Sequence, residues 1–135
     1  MALSPPDTIR LVNGHSPYSG RVEVYHNGQW GTVCDDDFDH RDVKVICRML
    51  GYYQGEQYGR PYQHASIGSG SGMIWLDNLE CSGYESGVQF CSHNSWGDND
   101  CGHGEDAGVD CHGNACIVYL FAKSKSSNSS YIYMN

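Results

Sequence analysis

Apolar and polar residues alternate in two stretches near the start of the chain. Ile9 to Val12 alternates, and residues 21–24 read Arg-Val-Glu-Val. A period of two is typical of strands that bury one face. Asn27-Gly28 comes next, and both residue types tolerate the positive φ values of a two-residue hairpin turn, after which Trp30 to Cys34 is again mostly apolar. The pattern predicts a first strand followed by a β-hairpin.

The period then changes to that of a helix. Asp39 can cap an N-terminus, Asp42 lies in the first turn, and Gly51 can end the helix. Between them, apolar residues recur at i, i+3, i+4 and i+7, and these are Val43, Ile46, Cys47 and Leu50. One amphipathic helix is predicted here.

The rest of the chain has weaker patterns. Residues 52–72 are rich in Gly, Ser and Tyr without clear periodicity, which predicts a long irregular surface segment with at most short strands. Met73 to Leu76 and Ala107 to Cys111 are typical of buried strands. An apolar run at 117–122 precedes a Lys/Ser/Asn stretch whose composition favours disorder.

Length and cysteine usage change this picture. A chain of 135 residues suits one domain. Its seven cysteines contain no C-x-x-C pair, so the common zinc ribbons and thioredoxin-type sites are disfavoured and disulfides in an oxidising compartment are favoured. Six cysteines allow 15 pairings, and an odd count leaves one cysteine over. Spacing alone therefore leaves the pairing open.

Charge argues against nucleic acid as a partner, and hydropathy argues against a transmembrane segment. The formal net charge is −8 and the basic residues are dispersed, so nucleic acid is not expected as a physiological partner. No stretch approaches the roughly 20 apolar residues that cross a bilayer. We expect no transmembrane segment in this chain.

Several motifs, taken together and in order, resemble the scavenger receptor cysteine-rich (SRCR) family. The resemblance implies a compact α+β fold, a curved antiparallel β-sheet cradling one α-helix, with three disulfides. It also implies an extracellular binding module of innate defence rather than an enzyme. The motifs are Gly20-Arg21-Val22-Glu23-Val24, Trp30-Gly31-Thr32-Val33-Cys34-Asp35-Asp36, Val45-Ile46-Cys47-Arg48-Met49-Leu50-Gly51, Ile74-Trp75-Leu76-Asp77-Asn78 and residues 101–111, which read CGHGEDAGVDC.

The resemblance also implies a covalent frame. In the six-cysteine, group A type, the pairs would be Cys34–Cys101, Cys47–Cys111 and Cys81–Cys91. The domain would then span residues 9–112, between a flexible leader at 1–8 and a partly disordered extension at 113–135. Cys116 has no counterpart in the family pattern, so it is predicted to be unpaired within the domain or to join two chains as an oligomer.

Acidic residues are the main candidates for chemistry. If Cys34 bonds Cys101, carboxylates crowd together, at an electrostatic cost that a cation can remove. Oxygen ligands favour Ca²⁺, with Mg²⁺ possible. The resemblance implies two neighbouring sites, the first with Asp35, Asp36 and Glu105 and the second with Asp77, Asn78 and Asp100. The alternative is that these are solvated turn residues.

Basic and aromatic residues provide weaker candidates for ligand contact. Three basic residues share one face of the predicted helix at i, i+3 and i+7, namely Arg41, Lys44 and Arg48. The irregular segment adds Tyr58, Arg60 and Tyr62, a composition typical of contact surfaces. The alternatives are a solvated helix face and a loop packed on its own domain. Asn128 begins a glycosylation sequon.

Three functions follow from this reading. The first is a Ca²⁺-dependent scavenger or pattern-recognition domain, secreted or on a receptor ectodomain, that binds polyanionic or microbial ligands. The second is a metal-independent adhesion or receptor domain that binds a protein ligand. The third is a non-catalytic accessory domain of a larger secreted enzyme.

Overall fold

One sheet and one helix dominate the computed structural model, which describes residues 8–52 and 59–111. Helix α1 is His40–Met49, and short 3₁₀ helices lie at Val88–Phe90 and His103–Glu105. The strands are β1 (Ile9–Asn13), β2 (Ser19–His26), β3 (Gln29–Val33), β4 (Arg60–Tyr62), β5 (Met73–Leu76) and β6 (Gly108–Asp110). Of the predicted leader, only Thr8 is among the described residues. The whole extension, with Cys116 and Asn128, lies outside them, and so does Tyr58.

The strands pair in the order β4-β6-β2-β3-β5, and β1 pairs with β2. All these pairs are antiparallel except β3–β5, which is parallel. The expected antiparallel sheet is therefore a mixed sheet. The physical reason is the connection: the chain passes through α1 and the long irregular segment between β3 and β5, and a crossover of that length permits parallel pairing.

The predicted hairpin is confirmed by β2 and β3. His26 pairs with Gln29 across a two-residue turn. Asn27 and Gly28 have φ values of 53° and 83°, the left-handed region that this type of turn requires at both positions. The local sequence thus determines where the chain reverses.

The predicted helix is also confirmed. The Asp39 carboxylate accepts a hydrogen bond from the backbone N–H of Arg41 (2.9 Å), and Asp42 Oδ2 accepts one from the backbone N–H of Asp39 (2.8 Å). Such reciprocal bonds satisfy amides that have no partner within the helix. Gly51 at φ 87° follows the last turn, where glycine allows the chain to leave the helix.

The core lies between α1 and the sheet. Val43, Val45 and Ile46 of the helix are almost completely buried, together with Val22 and Leu76 of the sheet. Removing such side chains from water stabilises the fold by about 1.5–3 kcal/mol each. Among the described residues, no helix is long and apolar enough to cross a bilayer.

Three disulfides join these elements, and they are the pairs that the resemblance implies. Cys34–Cys101 connects the end of β3 to the loop before the second 3₁₀ helix. Cys47–Cys111 connects α1 to the chain after β6, and Cys81–Cys91 closes a loop with a sequence separation of 10. The fold is α+β, as expected.

Candidate functional site

The disulfide between Cys34 and Cys101 brings acidic residues from distant parts of the sequence together. Cys34 is fully buried at the end of β3, whereas Cys101 is half-buried. Their sequence separation is 67. Asp36 follows the first cysteine and Asp100 precedes the second, so the bond places both aspartates at the same surface.

Two groups of side chains meet there, and in each the candidate ligand atoms lie within 4.8 Å of one another. Asp36 and Glu105 form the first group with the two cysteines, and Asp36, Asp77 and Asp100 form the second with Cys101. The sulfurs are already bonded to each other, so the carboxylates supply the ligand atoms. We call Asp36, Asp77, Asp100 and Glu105 the acidic cluster.

The acidic cluster is packed against the disulfide. Glu105 Oε1 lies 3.5 Å from Cys34 Sγ. Asp36 Oδ2 and Asp100 Oδ1 each lie 3.7 Å from Cys101 Sγ. Because a disulfide sulfur carries no proton to donate, these contacts leave the carboxylate charges uncompensated.

Burial and like charge both act on Asp77, which is 1% exposed. Burial raises the pKa of the Asp77 carboxyl, and the nearby negative charges of Asp36 and Asp100 raise that pKa as well. Asp100 itself is exposed, and Asp36 and Glu105 are half-buried. The arrangement is a set of hard oxygen donors open to solvent on one side, which can hold a divalent cation such as Ca²⁺ or Mg²⁺.

The side chain of Asp35 lies apart from the acidic cluster. Its Oδ2 accepts a hydrogen bond from the backbone N–H of His64 (2.6 Å) and lies 3.5 Å from His64 Nδ1. Asp35 is buried. In this position its carboxylate anchors the irregular segment, whereas the family resemblance grouped Asp35 with Asp36 and Glu105.

Asn78 borders the acidic cluster next to Asp77. Its backbone N–H donates to Asp77 Oδ1 (2.8 Å), and its side-chain Nδ2 donates to Asn94 Oδ1 (3.3 Å). The two neighbouring sites implied by the resemblance have no residue in common, whereas the two groups in the structure do. Asp36 belongs to both groups, so the groups share a carboxylate.

Sequence reasoning missed two asparagines that hold the acidic cluster in place. Asn94 Nδ2 donates to Asp77 Oδ2 (3.4 Å) and to the carbonyl of Asp98 (3.2 Å). Asn99 Oδ1 accepts from the backbone N–H of Cys101 (3.0 Å). The available signal was the Asn/Asp-rich composition of residues 94–100, which is typical of turns built by side-chain-to-backbone bonds.

The basic face of α1 is largely occupied by the Cys81–Cys91 loop. Arg48 donates from Nη2 to the carbonyl of Gly83 and from Nη1 to that of Glu85, both at 2.7 Å. Lys44 Nζ lies 4.9 Å from the ring centroid of Tyr84, and Arg41 pairs with Asp39 at 2.7 Å. These contacts attach the loop to the helix, so ligand contact by this face stays a prediction.

The described tyrosines of the irregular segment pack onto the domain. Tyr52 meets Tyr18 edge to face, with ring centroids 5.8 Å apart. The hydroxyl of Tyr62 donates to Asp110 Oδ2 (3.4 Å), and burial raises the Tyr62 pKa. Arg60 begins β4 and is exposed. Their role in ligand contact is likewise a prediction.

Comparisons with known proteins agree with this architecture. Residues 12–112 match the scavenger receptor cysteine-rich domain family. The chain is 50% identical over 103 residues to the macrophage receptor MARCO of Mus musculus, an alignment that covers 76% of the chain and 18% of the receptor. The chain thus spans less than a fifth of that receptor.

Two solved structures are similar in both sequence and fold. The dimeric form of the SRCR domain of mouse MARCO is 54% identical with a TM-score of 0.62, covering 69% of this chain and 85% of that one. The third SRCR domain of murine neurotrypsin is 46% identical with a TM-score of 0.69, covering 76% of this chain and 94% of that one.

These similarities support two of the expectations drawn from the sequence. SRCR domains in scavenger receptors are non-catalytic binding domains, and similarity to a macrophage receptor indicates ligand recognition. The expectation that the chain is not an enzyme is confirmed on this basis. From its motifs, its fold and its relatives, the chain belongs to the scavenger receptor cysteine-rich family.

Proposed function

We propose that this chain is an extracellular recognition domain that binds polyanionic or microbial ligands through Ca²⁺ held by the acidic cluster. One observation carries the proposal: four carboxylates from distant parts of the sequence lie beside a single disulfide. Three disulfides support an extracellular location, because such bonds persist in oxidising compartments.

The residues that would hold the ion are Asp36, Asp77, Asp100 and Glu105, and Mg²⁺ is the competing ion. When bound, Ca²⁺ supplies a local positive charge and coordination positions that the protein leaves open. The exposure of Asp100 leaves room for a sulfate, phosphate or carboxylate oxygen of a ligand. Without such a charge, a chain of net charge −8 would repel polyanions.

The host protein is a separate question. Similarity to MARCO supports a receptor of innate defence, and similarity to a domain of neurotrypsin supports the alternative of an accessory domain within a larger protein. Both alternatives retain the same binding surface. The dimeric form of the MARCO domain supports association between copies of this domain.

The decisive test compares two neighbouring aspartates. Asp36 belongs to both groups of the acidic cluster, whereas Asp37 is exposed and belongs to none of the groups found among the described residues. Asp37 has φ 64°, a conformation that asparagine tolerates. Asp36→Asn and Asp37→Asn therefore remove the same charge from adjacent positions without backbone strain at the control.

Calcium binding and ligand binding are then measured on both variants. We expect Asp36→Asn to weaken Ca²⁺ affinity, measured by calorimetry, by at least about tenfold, because a shared charged ligand is lost. Asp37→Asn should stay within about twofold of wild type. Dextran sulfate should bind wild type in Ca²⁺ but not in EDTA. Equal Ca²⁺ affinities of the two variants, or undiminished binding in EDTA, would favour the metal-independent alternative.

A further inference from the structure

The chain contains two Asn-Gly dipeptides, Asn13-Gly14 and Asn27-Gly28. Both asparagines are exposed, and both have a left-handed backbone, with φ values of 69° at Asn13 and 53° at Asn27. In an Asn-Gly dipeptide the backbone nitrogen of the glycine can attack the side-chain amide of the asparagine, because glycine has no side chain to obstruct the approach. The two sites are therefore a matched pair in local sequence, exposure and backbone conformation.

Asn13-Gly14 is restrained by its surroundings. Asn13 Nδ2 donates to the carbonyl of Ile67 (2.8 Å), so the amide that would leave is bound. Gly14 packs against the backbone of Ser19, so closely that a side-chain carbon on Gly14 would lie 1.7 Å from the carbonyl oxygen of Ser19. Attack of the glycine nitrogen on the asparagine side chain requires the backbone to rotate, and this packing opposes the rotation.

Asn27-Gly28 lacks both restraints. Within residues 8–52 and 59–111, the side chain of Asn27 has no hydrogen-bond partner. A side-chain carbon on Gly28 would have no heavy atom within 4 Å other than those of its neighbours in the chain. The tip of the hairpin can therefore open locally without displacing packed atoms around Gly28.

We propose that Asn27 is a site of spontaneous deamidation and isomerisation in the folded domain. The backbone nitrogen of Gly28 attacks Asn27 Cγ, the bond from Cγ to Nδ2 breaks, and ammonia leaves with the proton of the Gly28 amide. The product is a cyclic succinimide, which water opens at either carbonyl. Opening at Cγ gives aspartate. Opening at the main-chain carbonyl gives isoaspartate, in which the backbone continues through Cγ and is longer by one methylene group.

Isoaspartate at this position alters the contacts of both residues that flank the turn. The ring of His26 stacks on that of Trp96, with centroids 3.9 Å apart. The carbonyl of Gln29 accepts a hydrogen bond from Trp75 Nε1 (2.9 Å). Because His26 and Gln29 pair across a turn of only two residues, a longer backbone in the turn displaces at least one of them.

Trp96 connects the tip of the hairpin to the loop at residues 93–100. Its ring lies edge to face with that of Trp75, with centroids 6.4 Å apart, and the backbone N–H of Gly97 donates to the carbonyl of Trp75 (2.9 Å). The same loop carries Asp100 of the acidic cluster. Formation of isoaspartate at the hairpin therefore loosens a loop of the candidate site, as an irreversible change that accumulates as the protein ages.

The first test compares the two Asn-Gly sites while the full chain ages in mildly alkaline buffer containing EDTA. Mass spectrometry of peptides measures deamidation at each site, and enzymatic methylation identifies isoaspartate. In urea with the disulfides reduced, the two sites should convert at similar rates, because the dipeptide is the same. In the folded chain, we expect Asn27 to convert several-fold faster than Asn13. Equal rates in the folded chain, a faster rate at Asn13, or no conversion at Asn27 overturns the proposal.

The second test separates the added charge from the added backbone length, again in EDTA, so that it does not depend on calcium binding. Asn27→Asp has the charge of both products with a normal backbone, and Asp-Gly favours the same turn. Hydrogen exchange at the Gly97 amide and the Trp75 indole should be faster in the isoaspartate form, isolated by chromatography, than in wild type. Asn27→Asp should exchange as wild type does. Equal exchange in the isoaspartate form and Asn27→Asp would show that the longer backbone does not loosen the loop, against the proposal.

Discussion

The two long-range disulfides span nearly the same length of chain but lie in different surroundings. Cys47–Cys111 has a sequence separation of 64 and Cys34–Cys101 one of 67. In the chain-entropy account, each should stabilise the fold by about 4 kcal/mol. Both ends of the first bond are buried in the core, whereas Cys101 of the second is half-buried.

The difference lies in what each bond brings together. Cys47–Cys111 fixes α1 against the chain after β6, among apolar side chains. Cys34–Cys101 holds Asp36, Asp100 and Glu105 within contact of its sulfurs. The first bond thus reinforces packing, whereas the second also opposes the mutual repulsion of carboxylates. The same covalent link stabilises a core in one place and assembles a candidate site in the other.

Removing Cys47–Cys111, the bond buried in the core, should have the largest effect on stability. For Cys47→Ala with Cys111→Ala, we expect the free energy of unfolding to fall by at least about 4 kcal/mol, since buried packing is lost along with the cross-link. Urea unfolding in EDTA measures this loss. Calcium titration at low urea should give nearly wild-type affinity for the folded fraction, and a parallel collapse of Ca²⁺ affinity would contradict the comparison.

Removing Cys34–Cys101, the bond beside the acidic cluster, should change stability and Ca²⁺ affinity by different amounts. For Cys34→Ala with Cys101→Ala, we expect a loss in EDTA somewhat below about 4 kcal/mol, because repulsion between the freed carboxylates is relieved. Ca²⁺ affinity should fall at least about tenfold. The destabilisation should therefore be larger in millimolar Ca²⁺ than in EDTA, since the ion stabilises wild type more than the variant. Wild-type affinity in this variant would show that the bond does not organise the site.

Local signals explain which parts of the fold were predictable. The turn at Asn27-Gly28 and the helix between Asp39 and Gly51 depend on neighbouring residues, and the structure confirms both. The parallel pairing of β3 with β5 depends on contacts far apart in sequence. No periodicity reports such contacts, so the mixed character of the sheet was not predicted. The cysteine pairing, likewise, was implied by the family resemblance and not by spacing.

The candidate site shows the same division between local and distant information. Four predicted acidic positions do form the acidic cluster. Asp35 differs from its neighbour Asp36 because side-chain direction in an irregular stretch is set by tertiary partners, here the backbone of His64. The supporting bonds of Asn94 could not be predicted for the same reason.

A buried carboxyl of α1, that of Asp42, extends the comparison between the core and the acidic cluster. Asp42 is 0% exposed and accepts hydrogen bonds from the backbone N–H groups of Cys81 and Asp39, both at 2.8 Å. Burial raises the pKa of Asp42 to about 7. Unlike Asp36, this carboxyl joins structural elements and belongs to none of the groups found among the described residues.

Counted per pH unit, the smallest change in the free energy of unfolding is expected for Asp42→Asn. The folded pKa of about 7 lies above the ordinary value of 3.8, so between these values the native state binds the extra proton. The contribution of Asp42 is therefore present at low pH and lost as pH rises from about 4 to about 7, by up to ~1.4 kcal/mol per pH unit. The free energy of unfolding, measured over that range, should decline less steeply in Asp42→Asn than in wild type.

Asp37→Asn is the control and should follow wild type, and Ca²⁺ affinity should be unchanged in Asp42→Asn. Parallel curves for wild type and Asp42→Asn would mean that Asp42 stays ionised in the core, held by its two amide donors. The buried and the exposed carboxylates would then not differ in protonation.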